Sequence, residues 1–177
     1  MLYWVIMFIL VVFPFFWLRA VKSYSWEKTL NELLPKPKNL KKEIIGSIIL
    51  CALLLVAFII LSIILTLIGL NDLEKVGAVI GTQTQEGVLL LVGTLIIVLF
   101  IEELFFRAFL VNRVGIIFST LIFTIAHLSY GSIAELIGVF ILGLIIAYWF
   151  KKNNSITQVY LAHLLYDLVA IALYLMI

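Results

Sequence analysis

Seven ionisable side chains sit inside stretches of the chain that are otherwise apolar: Glu102, Glu103, Arg107, His127, Glu135, His163 and Asp167. Charges placed that deep in a membrane are costly, so they face a bundle interior or a water-filled cavity. His127 and His163 are the protein's two histidines. A carboxylate and an imidazole can share a water and deprotonate it as it attacks a carbonyl carbon. A second imidazole can donate a hydrogen bond to the oxyanion that develops. Such a set hydrolyses a peptide bond without a nucleophilic Ser or Cys. The same residue types also allow a Zn²⁺ site, with the imidazoles and one carboxylate as ligands and the other carboxylate as general base. The residues alone leave both chemistries open.

Spacing narrows the roles. Glu103 and Arg107 are four apart, in the favourable order for an ion pair on one helical face. That pair neutralises itself for insertion. Glu102 then points about 100° away and needs another partner. His163 and Asp167 are also four apart, so the carboxylate can orient the imidazole, bind a metal beside it, or satisfy it. Either histidine taken alone reads more readily as a hydrogen-bonded packing residue. Glu135 lies one turn from a segment end, where it can snorkel to the interface, and is read as outside the chemistry.

The elements that carry these groups must span a membrane. The 177 residues are 65% hydrophobic and 12% charged, and the mean hydropathy is +1.26. A soluble domain is about 45–50% apolar, and a core this small cannot hide the excess. A soluble monomer and a disordered chain are both excluded. A net charge of +2 gives no reason to expect nucleic acid. Cys51 has no intrachain partner and reads as a small buried hydrophobe. Six apolar segments follow from the pattern: Leu2–Leu18, Ile44–Leu70, Gly87–Val111, Ile116–Ser129, Ile133–Phe150 and Ile156–Ile177. The first is read as a retained helix kinked at Pro14, and the fourth is short for a span of about 20 residues. Gly138 and Gly143 would let helices approach closely. Trp4, Trp17, Tyr148 and Trp149 near segment ends fit an aromatic belt.

Lys and Arg mark the cytoplasmic side. The linker Arg19–Glu43 carries Arg19, Lys22, Lys28, Lys36, Lys38, Lys41 and Lys42, and the linker Asn71–Glu86 carries Lys75 alone. Arg113 follows segment three, and Lys151 and Lys152 follow segment five. Alternation puts the basic loops in the cytoplasm, with both termini outside. Counted from the cytoplasmic ends at about 1.5 Å per residue, Glu103 lies about 15 Å deep, His127 about 18 Å and His163 about 12 Å. Three helices thus deliver carboxylate and imidazole to one layer.

The residues Glu102-Glu103-Leu104-Phe105-Phe106-Arg107 resemble the EExxxR motif of the CPBP intramembrane proteases, which include the type II CAAX prenyl proteases and the bacterial Abi proteins. Phe123-Thr124-Ile125-Ala126-His127 resembles the family's FxxxH, and His163-Leu164-Leu165-Tyr166-Asp167 its HxxxN or HxxxD. The resemblance implies an all-α polytopic membrane protein, a bundle of about six transmembrane helices around a polar cavity. Residues 87–177 would be the catalytic core, and residues 1–86 a two-helix membrane segment with a basic cytoplasmic linker. Glu102 would activate water with help from His127. His163 and Asp167 would stabilise the oxyanion, and Glu103 and Arg107 would shape and charge-balance the site. Eukaryotic-type members carry Asn where this chain has Asp167. An ionised Asp cannot donate, so Asp167 must be protonated, orient His163, or bind a metal.

The resemblance implies an intramembrane endopeptidase acting on a membrane-anchored peptide or protein. It would sit in a prokaryotic cell membrane with its cavity facing the cytoplasm. No cofactor is expected, and zinc is the less favoured alternative. A non-catalytic scaffold or bacteriocin-immunity protein of the Abi type, and a small proton-coupled transporter, are the competing functions.

Overall fold

The structure is a computed structural model describing residues 2–37 and 39–176. Lys38, counted above among the basic residues, and Ile177, the end of segment six, lie outside the described residues. Eight α-helices follow in order: α1 (Leu2–Phe16), α2 (Trp26–Leu33), α3 (Leu40–Leu67), α4 (Glu74–Glu86), α5 (Val88–Glu102), α6 (Asn112–Ala126), α7 (Ile133–Asn153) and α8 (Ile156–Leu175). Two π-helical stretches, Trp17–Val21 and Glu103–Val111, continue α1 and α5. Among the described residues there is no strand, and the all-α polytopic class that the resemblance implies holds.

Helix starts are written in single residues. Ser25, Asn39, Ser132 and Ser155 each accept a backbone N–H three residues on, which fixes the first turns of α2, α3, α7 and α8. Pro14 lies inside α1, and the chain passes into a π-helical turn at Trp17. Both polar linkers are more ordered than sequence suggests. Arg19–Glu43 contains the amphipathic α2, and Asn71–Glu86 folds largely into α4.

Among the described residues, five helical stretches are long and apolar enough to cross a membrane: Tyr3–Val21, Leu40–Leu67, Val88–Tyr130, Ile133–Asn153 and Ile156–Leu173. The third has 43 residues and is bent double. In a straight helix Phe106 and Ser119 would be about 20 Å apart. Instead the Ser119 hydroxyl donates to the Phe106 carbonyl at 2.5 Å, and the rings of Phe106 and Phe123 are 4.9 Å apart. The reversal is at Gly115, whose φ of 84° and ψ of 174° belong to a region essentially restricted to glycine. Expected segments three and four are therefore the two arms of one hairpin. Carbonyls freed near this bend accept from side chains, Ala108 from Asn112 at 3.1 Å and Phe109 from Arg113 at 2.7 Å.

Lipid tails are as apolar as leucine, so close packing and polar ties hold the helices together rather than burial alone. Such ties crowd the end bearing the basic loops. Arg113 pairs with Glu32, and Ser155 donates to Glu43. Trp149 donates from Nε1 to Gln158 at 2.8 Å, so this residue of the expected belt ties α7 to α8. The Gln158 side chain fills the space where a Cβ on Gly46 would go, which marks how tightly α3 meets α8. Beneath these ties Leu50, Leu104, Val111, Phe150 and Val159 form one apolar cluster, with Cys51 buried in it as expected. Gly143 does let α6 approach, since a Cβ there would stand 3.0 Å from Thr120. Gly138 has only ordinary contact, 4.0 Å to Leu61, so its expected role is not met.

The opposite end carries α4 and the turn before α7. Asp72 accepts from Ser132 Oγ at 2.6 Å and from the amides of Ala134 and Ile133 at 3.0 and 3.1 Å. These bonds, with Lys75 at 3.0 Å, hold its carboxyl well below the usual aspartate range. Lys75 also donates to the Gly131 carbonyl. This clamp ties the two short connections of that end together.

Candidate active site

The first motif sits where α5 loses its α register. From Glu103 onward the backbone is π-helical for nine residues. Such π segments recur at functional sites because they re-aim side chains that an α-helix would stack. Glu103 turns inward and is fully buried, while Glu102 lines a cavity of about 1020 Å³.

Behind the cavity wall lies a buried charge cluster. Glu103 Oε2 is 3.3 Å from Arg107 Nε, so the ion pair read from spacing is present. The Arg107 guanidinium is fully buried and lies 4.3 Å over the Phe123 ring. None of its nitrogens has an aligned hydrogen-bond acceptor among the described residues. Charge attraction and the ring face compensate it instead. Sequence did not reveal the third member. His163 Nδ1 lies 2.8 Å from Glu103 Oε1, which joins the first motif to α8. Because Glu103 is acidic, Nδ1 carries the proton as donor. His163 Nε2 is 3.9 Å from Asp167, a charge contact rather than a hydrogen bond.

His127 caps the C-terminal end of α6. Its Nδ1 is 2.9 Å from the Phe123 carbonyl, which can only accept. Nδ1 therefore holds the proton, and in the neutral ring Nε2 is left as an acceptor. Phe123 stands edge-on to His127 at 4.6 Å and to His163 at 6.3 Å. One aromatic side chain thus spaces both imidazoles and supports the guanidinium.

Glu102, His127, His163 and Asp167 all line the one cavity, whereas Glu103 and Arg107 stand behind it. Sequence reasoning put Glu135 outside this group, yet Glu135 lines the same cavity, as do Tyr3, Tyr130 and Tyr166. The missed signal was Ser132-Ile133-Ala134-Glu135, a helix-start pattern in which the acid occupies the third helical position. That position faces across the turn rather than out to an interface. Among the described residues no three His, Cys, Asp or Glu side chains are grouped as a metal ion requires.

The lining runs from the buried Leu54, Phe106 and Ile146 to the half-buried Tyr130 and Glu135 and the exposed Gln83 and Glu86. No lining residue comes from residues 11–53, 107–122 or 147–162, the stretches that carry the basic loops. The stretches that carry the basic loops are instead tied to one another around Glu43, Arg113 and Gln158.

Residues 84–169 match the family described as Type II CAAX prenyl endopeptidase Rce1-like. The matched stretch contains all three motifs. No curated protein and no solved structure shows a match to the chain.

Proposed function

On the premise that residues 84–169 are those of the CPBP/CAAX protease family, we propose that this membrane protein hydrolyses a peptide bond with a water activated by Glu102 and His127. The observation that carries the reading is the sharing of one cavity by Glu102, His127 and His163, which reach it from three helices. Glu102 takes a proton from the water as the oxygen attacks the scissile carbonyl carbon. His127 accepts a hydrogen bond from that water through Nε2, its tautomer held by the Phe123 carbonyl. His163, set between Glu103 and Asp167, offers Nε2–H to the carbonyl oxygen as it becomes an oxyanion. Glu102 then returns the proton to the leaving amine, and the C–N bond breaks.

Glu103 and Arg107 act as positioning residues. Glu103 fixes the His163 ring by its Nδ1–H, and Arg107 neutralises Glu103 away from the water. Asp167 stands 3.9 Å from His163 Nε2 and helps aim that face of the ring into the cavity. The test is hydrolysis of a quenched membrane-anchored reporter peptide by purified protein in detergent. Cleavage with a chelator present supports the reading. Absence of cleavage, together with proton or solute flux in liposomes, would favour a transporter, and absence of both a scaffold.

A further inference from the structure

We infer that the face around Arg19, Lys22 and Lys28 binds the phosphate headgroup of an anionic lipid in the leaflet at the basic end of the bundle. Ten of the twelve Lys and Arg residues lie in Arg19–Lys42, at Arg113 and at Lys151 and Lys152. The acids beside them are mostly engaged already. Glu32 pairs with Arg113, and the buried Glu43 accepts from Ser155. Among the described residues of these stretches, Glu27 is left as the exposed carboxylate. The linker Asn71–Glu86 has the reverse balance, with Asp72, Glu74 and Glu86 against Lys75. An anionic headgroup is therefore attracted to one end of the molecule and repelled by the other.

Net charge does not choose a spot, but the local structure does. The π-helical stretch Trp17–Val21 runs into a turn at Ser23, whose φ of 54° is left-handed. The turn brings Tyr24 back to the helix it leaves, where its amide donates to the Leu18 carbonyl at 3.0 Å. Arg19 donates to the Tyr24 carbonyl, and its guanidinium stands 4.8 Å over the Trp26 ring. From α2, Lys28 Nζ stands 3.6 Å over the Tyr24 ring. Two cations from different helices are thus held at one aromatic pair, with Lys22 on the turn between them, and all three are exposed. Side chains already held on ring faces lose less freedom when an anion arrives. In α2, Thr29 and Leu33 are fully buried, whereas Trp26 and Leu30, one turn apart, are 60% and 45% exposed. An amphipathic helix with an exposed apolar strip beside cations suits the boundary between headgroups and acyl chains. The strip favours a lipid, whose chains it can meet, over free phosphate, which offers it nothing. On its inner side α2 packs through Leu33 against Leu18 and Phe109, which couples lipid binding to the stability of the bundle.

The test adds dioctanoyl phosphatidylglycerol to the purified full chain in a neutral detergent, with dioctanoyl phosphatidylcholine and inorganic phosphate as comparisons. A ligand that binds the folded state raises the melting temperature. Phosphatidylglycerol should raise it further than phosphatidylcholine does, and the excess should disappear in about 0.5 M salt. Inorganic phosphate should give no excess. In Arg19→Gln/Lys22→Gln/Lys28→Gln the apparent affinity for phosphatidylglycerol should fall by about tenfold or more. Lys151→Gln/Lys152→Gln removes two cations from the same end and should keep that affinity. Equal losses in the two variants would mean a diffuse charge effect, and an equal shift with inorganic phosphate a free-anion site; either overturns the inference. If the triple variant does not fold, the wild type carries the test through its own tryptophan fluorescence. Phosphatidylglycerol brominated on its acyl chains should quench it more than equally brominated phosphatidylcholine at the same mole fraction, because Trp26 stands beside the cations. Equal quenching by the two lipids would overturn the inference.

Discussion

The two ends of the bundle solve opposite problems. At the basic end the helices meet through Glu43–Ser155, Trp149–Gln158 and Arg113–Glu32, with an apolar cluster beneath. At the other end the same helices part around a cavity of about 1020 Å³, and the Asp72 clamp ties only the short connections. Between them stands the buried cluster of Arg107, Glu103 and His163. The contrast teaches that closure needs matched polar ties in a lipid environment, where apolar contact alone has little advantage over lipid. Among the described residues the other end shows no such tie between its long helices, and the candidate hydrolytic groups collect there.

The cluster at the boundary gives the largest expected effect on stability. Arg107→Leu leaves Glu103 buried without its cation, and breaking a buried pair in this way costs about 3–5 kcal/mol. Thermal unfolding in detergent should reveal a large loss. Arg107→Leu paired with Glu103→Leu should recover a substantial part of it. If the double variant is no more stable than the single, the cluster is not held by this charge pair.

Gly115→Ala comes next. A Cβ at this position meets nothing within 4 Å, so any loss reports backbone strain alone. A residue forced into that region costs about 1–3 kcal/mol. The hairpin places Phe123 and His127 opposite the first motif, so activity should fall along with stability. An unchanged melting temperature would mean that the bend tolerates other conformations.

Asp167→Asn probes the open end more gently. The amide is nearly isosteric and supplies a permanent donor. Activity should stay within about tenfold of the wild type, an effect of about 1.4 kcal/mol at most. If activity and stoichiometric zinc are lost together, the metal-free chemistry is wrong. The smallest effect belongs to Asp72→Asn. Because the folded state depresses the Asp72 pKa, its contribution to stability is full above the unfolded aspartate value of about 3.9 and is lost as pH falls through the lower folded value. The stability gap between wild type and Asp72→Asn should therefore be constant from neutral pH to about pH 5 and shrink only in stronger acid. A gap that widens on acidification would contradict the clamp.

Much of this architecture was legible in the residues. The apolar segments, the hairpin arms and the Glu103–Arg107 pair follow from periodicity and spacing, which are local. The shared cavity could be approached through depth alone, since Glu103, His127 and His163 fall at similar distances from their helix ends. The contact between Glu103 and His163 was hidden because it depends on how α5 and α8 face each other, 60 residues apart in the chain. That Glu135 lines the cavity was hidden for the same reason, since it depends on what lies across the turn. The π register after Glu102 was equally invisible, because no residue type marks it. Which end of the bundle is packed was hidden as well, because sequence locates charges along the chain but does not reveal how the helices close.

The central claim is that Glu102 in this cavity activates the attacking water. Its most direct test compares kcat of wild type and Glu102→Gln on the reporter peptide, with folding of both checked by melting temperature. An amide is no base, and removal of a general base costs about 10²–10⁴-fold. The account predicts a loss of that size with the fold intact. Turnover by Glu102→Gln at the wild-type rate would contradict it.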